Sequence, residues 1–169
     1  VVRWWGAALC GHAATLAIAT DLEQARSYHL RSTELRETLS FEPGGRFVAG
    51  LIAQTDGDFE RAAELTSIEY ADPAWGSAPG VSAQRMVCAT SLSSLGRHDA
   101  AVAAARRISS NSLLRSPNST FAVQVAWVLL RAGQAQEALD LIARPTRLSL
   151  GVAIDQWRFG RSLVLAEYV

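Results

Sequence analysis

Apolar residues recur along this chain at three- and four-residue steps, as in Val123, Ala126, Trp127 and Leu130. That is the period of a helix with one buried face. No stretch alternates with the two-residue period of a strand. The pattern predicts nine helices, over 2–18, 21–39, 46–55, 59–70, 82–95, 98–109, 117–131, 135–143 and 152–168. Thr20-Asp21-Leu22-Glu23 reads as a capping box, and Asp58 opens the helix after Gly57. Ser116-Pro117 offers a cap and a first-turn proline. Pro73, Pro79 and Pro145 fall in connections. The fold class expected is all-α.

The helices come in repeating pairs. Around Gly57, Gly96 and Gly133 an alanine lies five residues later (Ala62, Ala101, Ala138), and a small residue lies seven earlier (Gly50, Ala89, Ala126). Ala13 and Ala25 extend the register upstream, with Thr20 in the place of the glycine, and Gly160 extends it downstream. The small positions 13, 50, 89, 126 and 160 are spaced by 37, 39, 37 and 34 residues. Each feature has a physical role. Glycine ends a helix in the left-handed conformation and lets the chain reverse. A small residue on the first helix and an alanine on the second let the two axes approach closely. The register predicts a single helical-repeat domain over 1–169, about four and a half pairs: 1–40, 41–78, 79–114, 115–149 and a partial 150–169. Stacked pairs of this kind form a curved solenoid. Both ends lie in apolar helical pattern, so the chain is expected to be part of a longer protein.

Composition narrows the function classes. The chain is 49% hydrophobic and 19% charged, which excludes a disordered tail. Its 16 basic and 16 acidic residues cancel, leaving no global field for nucleic acid or an anionic membrane. All the basic residues are arginine, scattered rather than clustered, which reads as coding bias. Two cysteines make no disulfide framework, so a cytoplasmic setting is expected. Residues 4–19 follow Arg3 and end Ala17-Ile18-Ala19, in the manner of a signal segment. His12, Gly6 and Gly11 interrupt the run, and a packed helix is the better reading.

The triplets Gly50/Gly57/Ala62, Ala89/Gly96/Ala101 and Ala126/Gly133/Ala138 resemble the tetratricopeptide repeat. That family has a small residue early in its first helix, a glycine at the turn and alanines in its second. The resemblance covers nearly the whole chain, with spacings above the family's usual ~34 residues. It lacks the early tryptophan, replaced by Arg46, Arg85 and Phe121. It implies a right-handed α-solenoid of antiparallel helix pairs. Divergent repeats of this kind also resemble those of large ATP-dependent transcription regulators of the LuxR type, where they take part in sensing; neither an ATPase nor a DNA-binding motif lies in this chain.

Catalytic chemistry has little support. Cys10 and His12 are two apart on one helix and point to different faces. No Cys-x-x-Cys or His-Glu-x-x-His spacing suggests a metal, and no cofactor motif occurs. Gly44-Gly45 is a connector without the lysine of a phosphate loop. His29 and His98 read as surface residues, Cys10 and Cys88 as buried thiols. Asn118-Ser119-Thr120 is formally a glycosylation acceptor. Trp75, in the loop 72–76, is a candidate contact or a lid over a helix pair.

The resemblance implies a concave groove lined by first helices. Its ligand positions carry over to Phe47, Leu51 and Gln54, to Met86, Thr90 and Ser93, to Val123, Trp127 and Arg131, and to Trp157 and Arg161. Each of the pairs Trp127–Arg131 and Trp157–Arg161 is one turn apart, so the guanidinium can stack on the indole and still offer donors to an anion. The alternative is that both tryptophans pack between repeats. The expectation is a non-enzymatic module recognising a protein, a peptide or a small effector, within a signalling or transcription protein. No direct nucleic-acid or membrane contact is expected. The competing expectation is a structural or homo-oligomerising solenoid attached to an enzyme or ATPase elsewhere.

Overall fold

A computed structural model describes residues 2–37, 45–67, 79–108 and 120–143. Every regular element among them is helical. In chain order these are α1 (Val2–Ala17), α2 (Leu22–Glu37), α3 (Gly45–Thr55), α4 (Phe59–Thr66), α5 (Pro79–Ser94), α6 (His98–Arg106), α7 (Thr120–Arg131) and α8 (Ala135–Ala143). The expected helix 152–168, the Ser116-Pro117 cap, Pro73, Pro145, Trp75, the Asn118 acceptor and Gly160 lie outside the described residues. Pro79 is not in a connection; it is the first residue of α5, where its missing N–H has no helical partner to lose. Gly45 likewise opens α3.

The chain divides into two compact units, Val1–Thr66 and Ser67–Val169, where the register had suggested one continuous array. Among the described residues each unit contains two helical hairpins, and the first helix of the second hairpin touches both helices of the first. In the first unit α3 contacts α1 and α2. In the second α7 contacts α5 and α6.

Three of the hairpins close identically. Gly57, Gly96 and Gly133 have φ of 81°, 73° and 76°, the left-handed region that side chains disfavour. Each glycine N–H donates to the carbonyl three residues back, on Gln54, Ser93 and Leu130. The following N–H donates to the carbonyl five back, on Ala53, Leu92 and Leu129 (all 2.9 Å). These paired bonds are the Schellman motif, which satisfies the last carbonyls of a helix. The residue after the glycine is also the cap of the next helix. Its carbonyl accepts the N–H of Ala62, Ala101 or Ala138. One residue thus ends one helix and begins another.

The first hairpin differs, and this corrects two expectations. Thr20 stands where the glycine would be, and a β-branched residue is disfavoured in the left-handed region. There both Thr20 and Asp21 donate to the carbonyl of Ala17, at 2.9 and 2.7 Å. The cap is Asp21 rather than Thr20: its Oδ1 accepts the Gln24 N–H at 2.9 Å, as Asp58 Oδ1 accepts that of Arg61 at 3.0 Å. The connection has four residues, 18–21, where the glycine-closed hairpins use three. Ala14, not Ala13, is the fully buried small residue of α1, while Ala13 is half-buried. Ala14 precedes Ala25 by 11 residues, where the other hairpins use 12.

The cores follow this scheme. In the first unit Ala14, Val48 and Ile52 are buried together, with Ile18, Leu22, Tyr28 and Phe47 against them. In the second, Met86 and Ala89 of α5, Ala101, Val102 and Ala105 of α6, Val125, Ala126, Val128 and Leu129 of α7, and Ala138 and Ile142 of α8 form one cluster. Gly50, Ala89 and Ala126 are buried, as are Ala25, Ala62, Ala101 and Ala138.

Polar contacts reinforce both units. Arg26 on α2 reaches Asp56 in the turn after α3 with both carboxylate oxygens at 2.6 Å; that hydrogen bond, together with the charges of Asp56 and Glu23, raises the guanidinium's pKa above its ordinary value. Arg106 on α6 reaches Gln134 at 2.9 Å and Glu137 at 2.7 Å, at the start of α8. Arg85 occupies one of the positions where the resembled family carries tryptophan. Its Nη1 donates to the Arg107 carbonyl at 2.5 Å, holding the negative end of α6 with a cation. Burial and then the charge of Arg107 lower its pKa.

Candidate functional site

The residues of the expected groove fall in separate places. In the first unit, Phe47 is half-buried against the core of α1 and α3. Leu51 and Gln54 on the same helix are also half-buried, and the Gln54 carbonyl closes the Gly57 turn. In the second unit, Met86 is 3% exposed and belongs to the core. It therefore lines no open face, which corrects its assignment. Ser93 and Val123 are buried as well, at 2% and 9% exposure. The reason is α5 itself, which buries Ser82, Ser91 and Ser93 along with Met86, Val87, Cys88 and Ala89. A helix enclosed on more than one side has no free stripe at the positions that the repeat register nominates.

What remains open is small and specific. Thr90 and Trp127 hold the same register position, one residue after the small residue, on helices that touch each other. Thr90 is half-buried, with its hydroxyl donating to the Met86 carbonyl at 2.9 Å. Trp127 is half-buried, packed on one side against the core cluster and open on the other. Arg131, one turn further, is exposed in the last turn of α7. Among the described residues its side chain makes no ion pair or hydrogen bond, and the same holds for the exposed Arg107 side chain. Four other exposed arginines are engaged: Arg26 with Glu23 and Asp56, Arg31 with Glu34, Arg61 with Glu64, and Arg106 with Glu137. Trp157 and Arg161 lie outside the described residues.

The arrangement places a half-buried indole and, one helical turn on, an exposed guanidinium without a partner among the described residues. The indole offers apolar area at low entropic cost, and the guanidinium offers planar donors for a carboxylate or phosphate. No group here is placed to attack or to transfer a proton.

Other chemistry-bearing side chains are dispersed. Cys88 is buried and Cys10 half-buried, so only the first behaves as the enclosed thiol expected. His29 is half-buried rather than fully solvated. His98 is also half-buried: its Nδ1 is enclosed without a hydrogen-bond partner, as is the Ser93 hydroxyl. The tight reversal at Gly96 places His98 directly behind the end of α5, which a reading of the helix start as open surface misses. The His12 side chain lies outside the described residues. Among the described residues no three His, Cys, Asp or Glu side chains gather as a metal site, and no helix is long and apolar enough to cross a membrane. Compared with known protein families, curated proteins and solved structures, the chain matches none.

Proposed function

We propose that this chain is a tetratricopeptide-like recognition module whose hairpins stack as a solenoid, and that the face carrying Thr90, Trp127 and Arg131 receives an acidic segment of a partner protein or an anionic effector. The observation that carries this reading is Arg131. It is the cation beside the half-open Trp127, and no carboxylate of the described residues neutralises it, whereas four other exposed arginines have carboxylate partners. A guanidinium left unpaired next to an indole is suited to an incoming anion that spans both. Among the described residues the His and Cys side chains are dispersed, which supports binding over catalysis. The glycine-closed hairpins and their repeated small residues favour the repeat class.

The test is a fluorescence or calorimetric titration against an array of acidic and uncharged peptides. The expected result is selective capture of acidic sequences. Arg131→Ala then weakens binding by about tenfold to a hundredfold, the worth of one charge-assisted hydrogen bond. The melting temperature stays nearly unchanged, because Arg131 is an exposed surface residue. Equal affinity of Arg131→Ala and the parent protein would dismiss the assignment.

A further inference from the structure

We draw no further inference here: the strongest candidate, the apolar face of α1 that carries the exposed Leu9 and Leu16, carries nothing because nothing in the structure shows what covers it.

Discussion

Truncating Leu129 to alanine lowers the unfolding free energy by about 2–5 kcal/mol, the range for a leucine lost from a rigid core. Leu129 is 2% exposed and is the largest of the fully enclosed side chains. It stands on α7, the helix that touches α5, α6 and α8, so a cavity there opens where all the helices of the second unit meet. Its neighbours in the cluster are mostly alanines and valines. Short side chains cannot swing in to refill the space, which places the expected loss in the upper half of the range. The Leu129 carbonyl still accepts the Gln134 N–H at 2.9 Å, so the turn persists and the loss is one of packing. Urea titration reads it as a lower midpoint with an unchanged slope. A loss below about 0.5 kcal/mol is what a surface substitution gives, and would place Leu129 outside the core.

Enlarging Ala126 to leucine destabilises the chain by about 1–3 kcal/mol, the cost of forcing methylenes into a filled interior. The substitution lowers helix propensity only slightly and adds apolar volume, so on an exposed face it would be nearly neutral. Ala126 is 0% exposed, and Ala138 on the partner helix is also 0% exposed. Neither position has water to displace. Leucine in place of the exposed Ala103 of α6 makes the control, with a change within about 0.5 kcal/mol. Thermal melts of the two variants check the contrast. Similar melting temperatures would mean that the small residues do not mark a close helix contact.

Much of this architecture was legible in the sequence because its signals are local. Gly57, Gly96 and Gly133 announce the left-handed caps, and the alanines five residues later sit one turn into the next helix. Helix starts at 59, 98 and 135 follow from those turns, and α4 merely stops at Thr66, short of the expected end. The failures have physical causes too. Thr20 was read as a substitute for glycine, but the turn there is built differently, has four residues instead of three, and goes with Ala14 instead of Ala13 as the enclosed small residue. No count of spacings predicts that shift.

The candidate site was harder to read. Burial of Ser82, Ser91 and Ser93 is invisible in a pattern where serine scores as polar, so α5 read as having an open face and Met86 as lining it. Trp127 and Arg131 were legible as a pair one turn apart. That Arg131 lacks a carboxylate among the described residues while Arg26, Arg31, Arg61 and Arg106 each have one depends on which side chains the fold brings together.

The most direct measurement of the central claim, a repeat of hairpins of which three are closed by a left-handed glycine, is the backbone chemical shifts and three-bond couplings of Gly57, Gly96 and Gly133 in an isotope-labelled sample. The account predicts positive φ at all three, near 81°, 73° and 76°, with helical shifts on both sides of each turn and none of that signature at Thr20. Negative φ at these glycines, or extended shifts anywhere in 79–108 or 120–143, would contradict it.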